Sequence, residues 1–427
     1  MRVERGELAG RPAEAASALR RATEPGPDLE AAVRDIVRQV REGGDRAVHE
    51  LSRRFDGAAQ DGSPHVPEAD LAAAQQGADP QLRAALELSA ANVRDVARAG
   101  VDDDREVRLG QGQRVRLREL PVRRAAVYVP GGRAPYPSTV VMGVVCAHVA
   151  GVDHVVVCAP PAADGRPHPA ILTACGVTAV REVLCLGGAH AIAALAHGTE
   201  TIEPVDVIVG PGNAYVQEAK RQLSGSVGID GLAGPSELLV LLDAGVDLHP
   251  LALDLLAQAE HGDDSPVVAV SASADALDAL AVEIASAGGS AAPSRARCHL
   301  LKSIDLEEAL AFSEAFAPEH LQLVGPAAEA LAPRVTAAGC LLVGAAAATA
   351  FGDYVAGSNH VLPTGGAARF ASALSPRHFR RRMAEVHLDS GPGLDELARA
   401  GAQIARVEGF ELHARSMEAR IRDNGAP

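Results

Sequence analysis

The chain has 427 residues and a mass of 43.9 kDa, with 47% hydrophobic and 22% charged residues, so it can bury a large core and is neither a disordered segment nor a disulfide-stapled miniprotein. Forty basic against 55 acidic residues leave a formal charge of −15 with no basic block, which excludes sequence-independent nucleic-acid binding through phosphate neutralisation. Tryptophan is absent and aromatics are 3%, which removes a base-stacking platform, and Lys220 and Lys302 are the only lysines open to Schiff-base chemistry.

Residues 27–56 carry Leu29, Val33, Ile36, Val37 and Val40, then Ala47, Val48 and Leu51, at helical spacing, and 70–99 read the same way. Both predict surface helices on a larger body. Residues 113–129 alternate, which predicts strands, and Pro130-Gly131-Gly132 then breaks the chain. From 138 to 209, short apolar runs at 154–159, 181–186 and 205–209 are separated by helical stretches at 138–150, 167–176 and 188–197, and a further helix follows at 213–223. That is the pattern of βαβ units in a parallel sheet. A second series follows, with strands at 236–242 and 266–270 and helices at 249–260 and 274–287; later strands fall at 321–324 and 340–344. The end of the chain, 376–427, returns to helix rich in Arg and Glu. The six cysteines lack CxxC spacing and mostly sit among Val, Leu and Ala, as small buried hydrophobes do. The N-terminus has no apolar h-region, and the most apolar stretch, 138–163, is interrupted by His148, Asp153 and His154. The expectation is a cytoplasmic protein without a membrane span.

Five segments could carry chemistry. Gly210-Pro211-Gly212-Asn213-Ala214-Tyr215 follows a strand and opens a helix but lacks the third glycine of a dinucleotide fingerprint, so it reads as an anion or ribose contact or as a tight turn. Gln258 and His261 share a helix face, as a metal pair or as helix-end polar groups. Pro318-Glu319-His320 sets a carboxylate beside an imidazole in an apolar segment, either an acid–base pair or a structural one. Gly352-Asp353-Tyr354-Val355-Ala356-Gly357-Ser358-Asn359-His360 follows an apolar strand, at the strand end where open α/β sheets keep their sites. Glu408 and His413 alone read as a solvated helix face. HExxH, GxSxG and P-loop patterns do not occur.

Together, VYVPGGRAPYPST, GPGNAYVQEAKRQL, GIDGLAGPSE, LLAQAEHG, APEHLQL, GDYVAGSNHVLPTGG and EGFELHA, in that order, resemble the histidinol dehydrogenase family over most of the chain from about residue 30 to 415. The resemblance implies oxidation of L-histidinol to L-histidine through L-histidinal with two NAD in succession, the last step of histidine biosynthesis. It implies one zinc per subunit held by Gln258, His261, Asp353 and His413, the last from the partner subunit of a homodimer, with the metal orienting the substrate's imidazole and amine. Glu319 and His320 match the acid–base pair. Ser236, His360 and Glu408 match substrate contacts, as do His320 and the four zinc ligands. Tyr128 and Asn213 match NAD contacts, and so does His190, where the family commonly has Gln. Two further departures are Glu314, where Asn is common, and GAAAATAFGDY, which lacks a Pro-Glu before the zinc-ligand aspartate.

The fold so implied is α/β: two incomplete Rossmann-like domains, one inserted in the other, with helical arms at both ends. The N-terminal arm is 1–24. The larger domain is 25–127 with 235–375, the inserted domain is 128–234, and 376–427 is a helical dimerisation arm. Two other readings stay open: a related zinc- and NAD-dependent dehydrogenase acting on another small polyol or a sulfonated diol, and a catalytically inactive binding protein.

Overall fold

The computed structural model describes residues 1–21, 28–57, 63–131, 134–288 and 295–421. Gly132 and Arg133 of VYVPGGRAPYPST, and the 24/25 boundary of the N-terminal arm, lie outside the described residues. The chain forms two units, Met1–Gly100 with Val122–Phe379, and Val101–Pro121 with Arg380–Pro427.

The first unit holds two parallel sheets. One has five strands in the order Glu182–Cys185, His154–Ala159, Arg124–Tyr128, Val207–Val209, Gly228–Ile229. Its strands are Val-rich because helices cover both faces. Ala125, Val127, Val155 and Val157 pack on the side of helices Pro137–Ala150 and Pro169–Val177. The alternate residues Ala126, Tyr128, Val156 and Cys158 pack on the side of Gly188–His197, Ala214–Leu223 and Asp28–Phe55. The central strand has sequence neighbours running out to both sides, so the order reverses between Arg124–Tyr128 and Val207–Val209. That opens a crevice at their C-terminal ends.

The other sheet has six strands in the order Arg2–Glu7, Arg297–Lys302, Val267–Ser271, Leu238–Leu242, His320–Val324, Cys340–Val343. Residues 2–7, placed by the resemblance in an arm, are its edge strand, paired in parallel with 297–302. The corresponding switch point, between Leu238–Leu242 and His320–Val324, is filled by the protein itself. Asp243 accepts hydrogen bonds from Ala327 N at 2.7 Å and Ala328 N at 3.1 Å, taking the free amides that an anion would use.

The second unit pairs Arg380–His387, Arg114–Pro121 and Arg105–Arg108 in an antiparallel sheet and packs Pro392–Val407 against Glu411–Glu418. Here the structure departs from the expected helical return at 376–427. The alternating RRRMAEVH is an eight-residue strand, because Arg114–Pro121 offers a partner in register along its whole length. The alternation seen at 113–129 is likewise two strands, one in each unit. All six cysteines are free thiols, five of them buried. Among the described residues, no helix is long and apolar enough to cross a membrane.

Candidate active site

His320 opens its strand, in the ladder between Leu238 and Cys340, so it sits at the N-terminal ends of three strands. Gly339 permits this approach: a Cβ there would lie 2.7 Å from the Glu319 carbonyl oxygen. The expected strand 321–324 therefore begins one residue earlier, and that residue is the imidazole. Its Nδ1–H donates to the Glu237 carbonyl at 3.1 Å, which leaves Nε2 as the free nitrogen, 3.5 Å from Asp353 Oδ1. Glu319 is buried, and its Oε2 accepts from Ser236 Oγ–H at 2.6 Å and from Glu237 N at 2.7 Å. Gln258 Nε2–H in turn donates to Ser236 Oγ at 2.9 Å. One hydrogen-bonded row thus joins Gln258, Ser236 and Glu319.

Burial raises Glu319 to about 7, against the opposing pull of His320 and the two donors. Burial also works against a charged His320, but the carboxylates of Glu319 and Asp353 outweigh it, and the imidazole is raised. Burial likewise opposes ionisation of Asp353. His320, with His360 and His261, more than offsets that and holds the carboxyl below its usual range. His360 is depressed by burial and is fully engaged. Its Nδ1–H donates to Asp353 O at 2.8 Å, and Nε2 lies 3.2 Å from Thr139 Oγ1.

The segment 352–360 does follow the strand Cys340–Val343, but it returns through the short helix Thr349–Tyr354 to the opposite end of the sheet. The site therefore lies at the strands' N-terminal ends, not at the C-terminal end inferred from the loop's position. The C-terminal crevice of this sheet is closed by Asp243. The start of helix Pro137–Ala150, which leaves the C-terminal end of Arg124–Tyr128, meets the site through Thr139, and Asn359 Nδ2 donates to Met142 O at 3.1 Å. The two sheets thus face each other across the site.

Among the described residues, no three His, Cys, Asp or Glu gather as a metal-holding group. The donors that do gather include an amide. Gln258 is 2% exposed, its Nε2 is committed to Ser236, and its Oε1 is buried without a hydrogen-bond partner. The orphaned amide oxygen of Gln258, the carboxyl of Asp353 and the imidazole of His261 are the oxygen and nitrogen donor types that a zinc-type cation takes.

Tyr128 and Asn213, two of the three residues expected at the cofactor, lie at the switch point of the five-stranded sheet. Gly210 has φ 114°, and a Cβ on it would lie 2.1 Å from Tyr128 O, so only glycine lets the loop cross the end of the central strand. Buried Lys220 binds Gly210 O at 3.0 Å and pairs with Asp230, whose Oδ2 accepts from Gly210 N at 2.7 Å. Asn213 caps helix Ala214–Leu223 by accepting from Tyr215 N and Val216 N, both at 3.1 Å. Tyr128 is buried with its hydroxyl accepting from Gly188 N at 3.0 Å.

The histidinol dehydrogenase family model matches residues 19–421. The chain is 41% identical over 402 residues to the histidinol dehydrogenase of Parasynechococcus marenigrum, covering 92% of this chain and 91% of that protein. It is 42% identical over 398 residues to that of Xanthomonas euvesicatoria pv. vesicatoria, covering 91% and 92%. The chain belongs to the histidinol dehydrogenase family. The crystal structure of histidinol dehydrogenase from Elizabethkingia anophelis shares the fold with a TM-score of 0.90 at 28% identity, covering 98% of both chains.

Ser236, Gln258, Glu319, His320, Asp353 and His360 are joined by the contacts above, and His261 lies near enough to act on Asp353 and His360. Glu408 and His413 lie in the second unit, exposed at the end of Pro392–Val407 and in Glu411–Glu418. The three departures from the family pattern have local explanations. His190 is 1% exposed, with Nε2 3.2 Å from Ser52 Oγ and 3.1 Å from Asp56 Oδ2, tying the β-to-helix turn at Gly187 to helix Asp28–Phe55. Glu314 accepts from Thr336 N at 2.9 Å and pins the loop before Cys340. In GAAAATAFGDY the last six residues form the helix that presents Asp353. Sequence reasoning missed Glu237, whose side chain accepts from Glu319 N and whose carbonyl accepts from His320 Nδ1. Its signal was an acidic residue at the head of the buried run SELLVLL.

Proposed function

We propose that this member of the histidinol dehydrogenase family oxidises L-histidinol to L-histidine through L-histidinal. The observation that carries the reading is the buried Glu319–His320 pair, with His320 Nε2 facing Asp353 and Glu319 bound by Ser236. In the first half-reaction His320 Nε2 takes the proton from the alcohol oxygen as hydride leaves the carbon. In the second, Glu319 takes a proton from the water that adds to the aldehyde. His320, having released the alcohol proton to solvent, then removes a proton from the hydrate as the second hydride leaves, giving the carboxylate. NAD accepts one hydride in each half.

A zinc ion on Gln258, His261 and Asp353 would supply a Lewis-acidic anchor that orients the imidazole and amine of the substrate. With Asp353 serving as ligand, one of the two carboxylates that raise His320 would be engaged elsewhere; Glu319 is the other. Ser236 and His360 then contact the substrate. Tyr128, Asn213 and His190 line the NAD crevice.

His413 and Glu408 complete the zinc and substrate sites of the partner subunit in a homodimer. The apolar side chains left exposed on the second unit, among them Ile404, Val407 and Leu412, support a partner there. The catalytic residues belong with the six-stranded sheet and the cofactor residues with the five-stranded sheet; residues 2–7 and 124–127, expected in an arm and in the larger domain, are strands of those two sheets in turn. The cytoplasm, where NAD and the biosynthetic precursors are found, is the proposed location.

The test is to measure NADH formed per histidinol consumed, with and without exhaustive chelation. A yield of two, abolished by chelation, is expected. Activity that survives chelation, or rapid NADH formation with a sulfonated diol only, would overturn the reading.

A further inference from the structure

Arg20, in helix Pro12–Arg21, touches the surroundings of the catalytic pair from the far end of the sequence. Its Nη1 pairs with Glu237 Oε1, and its Nη2 lies 2.9 Å from Oε2. Nε and Nη2 donate to Phe316 O at 3.2 and 2.5 Å, and Nη2 also donates to Ala317 O at 3.2 Å. The guanidinium lies 3.8 Å from the centroid of the Phe316 ring.

The groups that Arg20 holds lie next to Glu319 in contact or shortly before it in the chain. Glu237, its side chain 2% exposed, accepts from Glu319 N at 3.1 Å and from Gly365 N at 2.9 Å. Ala317 stands two residues before Glu319 at φ 47°, a left-handed conformation that a residue with a Cβ rarely adopts, and it persists only where surrounding contacts enforce it. The Arg20 fork supplies such contacts on two successive carbonyls. A buried ion pair is a weak device for stability, because packed apolar side chains avoid its desolvation cost. The pair is better explained by what it positions.

The two catalytic residues are not held alike. His320 lies inside the β-ladder, bounded by Leu238 and Cys340. Glu319 lies just outside it, in the turn that Arg20 and Glu237 fix. We propose that Arg20 is a positioning residue for the aldehyde-oxidising half of the reaction, acting through Glu237 and the Phe316–Ala317 carbonyls to hold Glu319 where it receives the proton of the attacking water. The inference rests on the two-step reading above. In that half the water oxygen bonds to the aldehyde carbon, one water proton passes to Glu319 and the other to His320, and hydride leaves that carbon to NAD, giving the carboxylate.

The experiment uses the full chain with histidinol and NAD, measuring NADH formed, histidinol consumed and free histidinal trapped as a hydrazone. Wild type yields two NADH per histidinol and little trapped aldehyde. Arg20→Met is expected to lower the ratio toward one, with histidinal trapped, because aldehyde oxidation falls about tenfold or more while alcohol oxidation falls less than about threefold. Arg20→Lys, which keeps the charge but not the fork, recovers part of the ratio. Glu237→Gln, which keeps an acceptor for Glu319 N but lacks the charge that seats Arg20, gives a smaller shift in the same direction and serves if Arg20→Met does not fold. A ratio of two in these variants, with both halves slowed equally, would overturn the inference alone. A wild-type ratio of one would overturn the two-step reading and this inference with it.

Discussion

Ser236 donates its hydroxyl hydrogen to Oε2 of Glu319 across 2.6 Å, and its oxygen accepts from Gln258 Nε2. One hydroxyl therefore links the proposed water-activating carboxylate to a proposed zinc ligand. It also spends the amide's donor, which leaves the Gln258 oxygen as the free end.

Ser236→Ala removes one of the two donors on Glu319. A hydrogen bond to a charged group is worth about 1.5–3 kcal/mol, so turnover of histidinal should fall by about 10- to 100-fold. Turnover within about twofold of wild type would show that the contact does not serve catalysis.

The pH dependence of histidinal oxidation follows from Glu319. Burial raises its carboxyl to about 7, and the base must be ionised to take a proton from water. The rate should therefore fall about tenfold per unit below that pH, and this falling limb should vanish in Glu319→Gln. A limb near the ordinary carboxylate range of about 4 would contradict the buried, raised group.

Gln258→Leu keeps the volume and removes the orphaned Oε1. Dialysed protein should bind less zinc than wild type, and its melting temperature should lose its response to added zinc. A ligand present at 100 times its dissociation constant stabilises the native state by about 2.7 kcal/mol, so the wild-type response is measurable. Full zinc content in the variant would remove Gln258 from the ligand set.

Gly210→Ala sets a methyl group against the Tyr128 carbonyl at a positive φ. Gly225→Ala shares the positive φ, at 108°, but has open space around it. Both should lower the melting temperature by several degrees, while only the first should raise the NAD dissociation constant, by about tenfold or more. Equal NAD affinity in the two variants would place the cofactor elsewhere.

His190→Gln should change the NAD dissociation constant, since imidazole replaces one amide donor or acceptor but not both. One hydrogen bond of about 0.5–1.5 kcal/mol corresponds to a change of about 2- to 10-fold. Equal affinity would assign His190 wholly to its bonds with Ser52 and Asp56.

Much of the α/β core could be read in advance because its strands are buried on both faces, and HVVVCA or SELLVLL has no alternative to a covered sheet. The pair Glu319–His320 was visible because adjacent polar residues in an apolar segment must be accounted for. Arg380–His387 was not visible: its alternating charges make sense only beside Arg114–Pro121, a partner far away in sequence. Arg20 looked like one of 38 arginines on a helix that carries no motif.

Local composition determined where most strands and helices of the α/β core would form and which side chains could do acid–base or metal chemistry, since burial and periodicity act over a few residues. Tertiary structure decided the rest. It placed His320 at the N-terminal ends of three strands with Glu319 just before them, closed the opposite crevice with Asp243, and brought Arg20 to Glu237. Those choices depend on strand order and on contacts between segments hundreds of residues apart. Their free energy comes from packing and pairing that no single segment contains.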